Sequence, residues 1–309
     1  RKVVIVGCGF VGSASAFALM QSGLFSEMVL IDVDKDRAEG EAMDISHGAS
    51  FAGPMKIYAG GYEDVGDASI IVITAGANQK PNETRLDLVQ KNAKIMTDVV
   101  TQIKEQEYKG ILLIVSNPVD IMTQVAMEVS GFPEHRVFGS GTVLDSARLR
   151  YHLGQHLGVD SRSVHAFVIG EHGDSEIAAW SSANVSGVPL NSFCEMRGHF
   201  NHEGNTESIE EQVKNSAYEI IAKKDATYYG IAMVVKRICQ AIVRDEKSIF
   251  PISLRMHGEY ALEDVVLSMP AIVGARGIET TIPISLDEKE VSRLHESAEM
   301  LRETRKEIR

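Results

Sequence analysis

The chain has 309 residues, 44% of them hydrophobic and 24% charged, which are the proportions of an ordinary globular protein. Lysine and arginine total 31 against 43 acidic residues, a net charge of −12, which argues against nucleic acid or an anionic membrane as the main partner. Cys8, Cys194 and Cys239 are far apart with no metal-binding spacing, and no apolar run approaches ~18 residues, so the expectation is a cytoplasmic protein with no metal site.

Along the chain, short apolar runs at 3–6, 28–31, 70–73 and 111–115 read as strands buried on both faces. Helical stretches at 12–21, 37–46 and 84–107 lie between them. Such alternation predicts α/β architecture, with a doubly wound parallel sheet and right-handed crossovers. After about residue 138 the pattern loosens into an α+β half. It has a helix at 146–157, a strand-like 163–170, a loop at 198–206 and helices at 207–223 and 227–244. A β-meander in "VVLSMPAIVGARGI" and a charged helix from Asp287 follow. The expected division is 1–140 for a nucleotide-binding domain and 141–309 for a catalytic and oligomerisation domain.

The sequence "VVIVGCGFVGSASAFALM" places Gly7, Gly9 and Gly12 straight after a strand and at the opening of a helix. Gly7 permits a tight turn, Gly9 lets the backbone approach a pyrophosphate, and Gly12 lets helix and strand pack closely. Asp32 ends the second strand, where a carboxylate can accept from both hydroxyls of an adenine ribose and would repel a 2′-phosphate. This Rossmann-type arrangement predicts NAD, although an Asp at that place also fits as a helix cap. Cys8 fits as a small packing residue.

"TAGANQKPNETRLDLV" follows the third strand, a loop suited to close over a cofactor. Arg85 falls in the first turn of the next helix, where a cation opposes the helix dipole. "SNPVD" puts Asn117 at the carboxyl edge of the fourth strand, where ligands of open α/β sheets bind, although an Asn-Pro turn needs no ligand. In "GTVLDSARLRYHLG", Asp145 and Arg148 share a helix face and Arg150 points elsewhere; a surface ion pair is the plainer reading of the first two. "GEHGDSE" sets His172 between acidic neighbours, which by itself fits either a catalyst or a solvated loop histidine.

Taken together, "GCGFVG", "GANQKPNETRLDLVQKN", "SNPVD", "LDSARLRY", "GEHGDSE" and "DATYYGIA" resemble the lactate/malate dehydrogenase family, nearest its bacterial lactate branch. The motifs run in family order and spacing from Val3 to about Arg302. The resemblance implies that His172 protonates the ketone oxygen of pyruvate as hydride arrives from NADH, with Asp145 orienting the ring. It implies that Arg148 clamps the substrate carboxylate, Arg85 polarises the ketone, Asn117 supports the same oxygen and Thr227 lines the pocket. Val11, Arg37, Tyr62, Gly76 and Ala77 would border the cofactor.

Gln79 stands where malate-specific relatives carry Arg. It offers no partner to a second carboxylate, so pyruvate and L-lactate are the implied substrates. A malate or other L-2-hydroxy-acid dehydrogenase is the alternative. A non-catalytic member would lack one of Arg85, Asp145, Arg148 and His172, all of which are present. Arg150 and His165 match a site for the activator fructose 1,6-bisphosphate, and a homotetramer is implied. Two departures from the family pattern are Asn82 and Asp225, each standing where Gly is usual. Glu171 and Asp174 are read as structural.

Overall fold

The computed structural model describes residues 1–77 and 84–308. Six strands alternate with helices in the first half: β1 (Lys2–Val6), α1 (Phe10–Met20), β2 (Glu27–Ile31), α2 (Lys35–Gly48), β3 (Lys56–Ala59), β4 (Ile70–Ile73), α3 (Arg85–Glu105), β5 (Ile111–Ile114), α4 (Val119–Ser130) and β6 (Val137–Gly139). They pair in parallel in the order β6-β5-β4-β1-β2-β3, which reverses direction at β1 and β4. That reversal opens a crevice at the carboxyl edge of the sheet. All four residues of β4 are fully buried, because helices cover both faces of the sheet. Each such Ile or Val contributes roughly 1.5–3 kcal/mol relative to exposure.

α3 shows how local pattern and packing agree. Val89, Ala93, Met96, Val100 and Ile103 repeat at steps of three and four and are buried together. Thr84 caps the helix by accepting from the Asp87 N–H at 3.1 Å, and the Asp87 carboxylate returns to the Thr84 N–H at 3.0 Å.

The second half begins with α5 (Val143–Leu157), β7 (Val164–His165), β8 (Val168–Ile169), β9 (Ile177–Ala178), β10 (Asn184–Val185), β11 (Val188–Pro189) and α6 (Leu190–Met196). It continues with α7 (His202–Lys224), α8 (Tyr229–Val243), β12 (Ser248–His257), β13 (Glu263–Gly274), β14 (Gly277–Thr281) and α9 (Glu288–Glu307). β12 pairs antiparallel with β6 through Ser253 and Gly139, so the meander of the second half extends the sheet of the first. Among the described residues, one sheet of nine strands therefore runs through both halves.

Several elements depart from the sequence expectations. β3 and β6 are short and β3 is half-exposed, so neither forms a conspicuous apolar run. β12 also escaped, because Pro251 interrupts its pattern. The expected loop at 198–206 is helical from His202, where the Asn201 side chain caps α7 by accepting from Gly204 N–H at 3.3 Å. No helix among the described residues is long and apolar enough to cross a membrane.

Candidate functional site

The glycine turn between β1 and α1 is shaped by what it lacks. A Cβ on Gly12 would lie 1.8 Å from the Gly7 carbonyl oxygen, and one on Gly7 (φ +100°) would lie 2.6 Å from Ala75 N. Nothing stands within 4 Å of a Cβ built on Gly9, so the turn opens there onto free space. α1 starts with no side-chain cap and no acidic residue in its first turn, which leaves its N–H groups and positive dipole end to an anion. Thr74 Oγ1 donates to Gly7 O at 2.7 Å and fixes the turn to the end of β4.

Asp32 accepts from Cys8 N–H at 2.6 Å and from Asp34 N–H at 2.9 Å. The cap of α2 is Asp34, which accepts from Arg37 N–H at 3.1 Å. Helix capping therefore does not account for Asp32. Cys8 is buried, and burial pushes its thiol up to about 12, as expected of a packing residue. Tyr62 is half-buried past the end of β3, and Arg37 is exposed on α2. The open cradle at Gly9, the uncapped helix end and a carboxylate at the tip of β2 together fit a dinucleotide.

A cavity of about 470 Å³ runs from this turn to His172, lined among others by Val11, Gly76, Ala77, Arg85, Asn117 and His172. Its floor is braced by Asn92, whose Oδ1 accepts from Ala77 N–H at 2.8 Å and whose Nδ2 donates to Asn117 O at 3.1 Å. Ser116 donates to Ala75 O at 2.5 Å.

His172 is fixed from four directions. The first turn of α5 is tied to β8: Thr142 Oγ1 donates to Val168 O at 2.5 Å, and Ser146 Oγ accepts from Val168 N–H at 2.8 Å. That brings Asp145, on α5, against His172, three residues beyond β8. Gly170 exchanges backbone hydrogen bonds with Ser268 of β13, and Glu171 N–H donates to Ser297 of α9 at 2.8 Å. The His172 N–H donates to Asp120 Oδ2 at 2.7 Å, and Asp120 Oδ1 accepts from Ser253 at 2.6 Å.

The Asp145 carboxylate, 2% exposed, accepts from both sides: Oδ2 lies 2.5 Å from His172 Nδ1 and Oδ1 lies 2.9 Å from the Arg148 guanidinium. Because Nδ1 is taken, Nε2 is the ring nitrogen left to exchange a proton. Burial pulls the His172 pKa down, but the adjacent Asp145 carboxylate more than offsets it and the result is about 9. Burial pushes Asp145 up; its charged partners His172 and Arg148 outweigh that and hold it below the usual carboxylate value. Asp120, fully enclosed, is pushed up to about 6 by burial despite its hydrogen bonds.

Glu176 is buried beside this pair, its carboxylate within 4.8 Å of the Asp145 and His172 donor atoms. Burial, followed by repulsion from Asp145, pushes it up to about 8. Three donors this close could hold a metal ion, but the His172–Asp145 hydrogen bond already occupies two of them.

Arg85 opens α3 and lines the same cavity, its guanidinium 3.6 Å from Glu171 and 3.7 Å from Asp174. Glu171 and Asp174 are thus partners of Arg85. Asp174 also accepts from Tyr218 at 2.9 Å. Gln79 and Asn82 lie outside the described residues. Thr227 is half-buried in the turn between α7 and α8 and stands apart from the described lining of the cavity. Asp225, just before it, adopts the left-handed conformation (φ +68°) that ends α7. Arg150, half-buried on α5, donates to Ser146 O at 3.2 Å, and His165 is exposed on β7, which packs against α5.

Sequence reasoning missed the residues that hold others in place: Thr74, Asn92, Ser116, Asp120, Glu176 and Ser253. Two carried a signal. Asn92 is a polar residue on the apolar stripe of α3, and Asp120 is an acidic residue in the first turn of α4 next to Ile121 and Met122.

Models of the lactate/malate dehydrogenase family match the chain almost end to end, the NAD binding domain over residues 1–139 and the alpha/beta C-terminal domain over residues 142–309. The L-lactate dehydrogenase of Acetivibrio thermocellus is 49% identical over 303 residues, covering 98% of this chain and 96% of its own. A minor L-lactate dehydrogenase from Enterococcus mundtii, solved in a ligand-bound form, is 43% identical with a TM-score of 0.97, covering 100% and 98% of the two chains. A lactate dehydrogenase from a Medee basin deep-sea metagenome library is 46% identical with a TM-score of 0.96, covering 99% and 98%.

Proposed function

Because the chain belongs to the lactate/malate dehydrogenase family, we propose that it is an L-lactate dehydrogenase that reduces pyruvate reversibly at the expense of NADH. The observation that carries this reading is the buried Asp145 carboxylate joining His172 to Arg148 beside a cavity that leads to the glycine turn. A proton donor and a carboxylate clamp on one rigid anchor suit a small 2-keto acid.

Gly7, Gly9, Gly12 and the start of α1 would hold the cofactor's pyrophosphate, and Asp32 its adenine ribose, with Val11, Arg37, Tyr62, Gly76 and Ala77 around them. When bound, NADH supplies the hydride that reduces the ketone carbon. His172, protonated below its raised pKa of about 9, delivers a proton from Nε2 to the ketone oxygen. Asp145 keeps the ring oriented and stabilises its charged form. Arg148 holds the substrate carboxylate through the nitrogens that Asp145 leaves free. Arg85 leaves its weak contacts with Glu171 and Asp174 to polarise the ketone, aided by Asn117. Thr227, from the second half, is added to the pocket on family likeness alone.

Substrate choice rests on the residue type at Gln79, which offers a second carboxylate no charge partner. The fructose 1,6-bisphosphate reading rests on Arg150 and His165 standing on neighbouring elements, α5 and β7. A homotetramer rests on family likeness, and a cytoplasmic setting on the three buried free cysteines.

The test is NADH oxidation with pyruvate and with oxaloacetate, each with and without fructose 1,6-bisphosphate. Pyruvate should be strongly preferred, the bisphosphate should raise the rate at low pyruvate, and Gln79→Arg should move preference toward oxaloacetate. Equal rates on both keto acids would remove the lactate assignment, and a flat response to the bisphosphate would remove the activator.

A further inference from the structure

A second cavity, of about 210 Å³, lies between α5 and α7, apart from the site of His172. Its wall is polar save for one isoleucine: His152, Gln155 and His156 come from α5, and Asn205, Ser208 and Gln212 from α7. His152 and His156 are four residues apart and so share a helix face.

The Nε2 atom of His156 is buried and has no hydrogen-bond partner among the described residues. A lone imidazole nitrogen left in that state is costly. The His156 ring packs 4.1 Å from that of His199, which closes off one side. Burial lowers the pKa of both cavity histidines; Arg148 adds to this at His152 against an opposing Glu219, and His199 adds to it at His156. Both histidines line the same cavity, and imidazole nitrogen is a ligand that first-row metal ions favour.

We propose that His152 and His156 chelate a divalent first-row transition-metal ion of the zinc class in this cavity, with amide oxygens of α7 completing its shell. Imidazole is the ligand such ions favour, and an i,i+4 pair presents two nitrogens to one ion. Gln212 Nε2 donates to Ser208 Oγ at 3.2 Å, and both residues line the cavity opposite the two histidines. The ion ties α5, which carries Asp145 and Arg148, to α7. This departs from the sequence expectation of no metal site, which rested on the wide spacing of Cys8, Cys194 and Cys239.

The test is calorimetric titration of the intact protein with Zn²⁺, with Co²⁺ absorption as a second readout. The expected result is a zinc-binding event weakened at least about tenfold by His152→Gln and by His156→Gln separately, and kept in His172→Gln. The cobalt spectrum should lose its nitrogen-ligand bands in the same two variants. Circular dichroism identifies a variant that fails to fold, and the other histidine then carries the test. Absence of binding at millimolar Zn²⁺, or binding that survives both substitutions, overturns the proposal. Loss of binding in His172→Gln overturns it too, since the ion would then sit on Asp145, His172 and Glu176.

Discussion

The two ends of the main cavity are built by opposite means. At the glycine turn the working surface is backbone, and the side chains matter by being absent: a Cβ on Gly12 would strike Gly7 O at 1.8 Å. At the other end the working surface is side chain, and each group is held by several others, with Asp145 bonded to both His172 and Arg148. A phosphate is recognised by a dipole and a row of N–H groups, which need no titratable residue. A proton donor needs a tuned pKa, and tuning needs burial together with a charged partner. The first can be encoded within a dozen consecutive residues; the second needs distant segments to meet.

If the ends are separable, substitutions should divide their effects. The largest effect is expected for His172→Gln, which should lower the turnover of pyruvate by about 10²–10⁴ while NADH affinity, measured by fluorescence titration, stays within error. A matching loss of NADH affinity would show that the two ends are one unit. Gly12→Ala should do the reverse. It should weaken NADH binding and cost about 1–3 kcal/mol of stability in chemical denaturation, through the clash with Gly7 O.

The alkaline limb of the pH profile sharpens the comparison. In the substrate-free enzyme, kcat/KM for pyruvate should fall as pH rises through about 9, where His172 loses its proton. Asp145→Asn removes the largest influence that raises the His172 pKa, so the limb should move to lower pH, with Asp120 and Glu176 still opposing burial. Stability follows the same couple. The raised His172 value contributes stability that is complete below about 6.5 and is lost as pH rises through about 9. The lowered Asp145 value contributes above the ordinary carboxylate range and is lost in acid. Thermal melts across pH of the native chain and Asp145→Asn should separate most at intermediate pH, and superimposed curves would refute the coupling.

The smallest effect concerns the turn before Thr227. Asp225→Gly should stabilise the protein by about 1 kcal/mol, because Asp225 sits at φ +68° where an L side chain is strained. An unchanged denaturation midpoint would mean that its side chain compensates there.

Legibility followed the range of the interactions. The four apolar runs read as buried strands are β1, β2, β4 and β5, because a strand covered on both faces shows itself as a continuous apolar stretch. β3 and β6 have no such run, and β12 is broken by Pro251. Arg85 stood out because it opposes its own helix dipole, and its two carboxylate partners then appeared where the sequence had suggested only structural roles. Asp120 was passed over because its value lies in a hydrogen bond to a residue 52 positions away.

By itself the sequence determined the sheet's parallel core, the glycine turn and the residue types from which a proton donor and a carboxylate clamp can be made. All of these depend on neighbours a few positions apart. Family likeness pointed to Asp145 as the carboxylate that serves His172, but the physical reason for it lies only in the tertiary structure. The choice fell on buried Asp145, 27 positions away, over Glu171 and Asp174 beside it, because α5 is bound to β8 through Thr142 and Ser146. Burial then set the charge of each group, and burial is a property of the assembled chain.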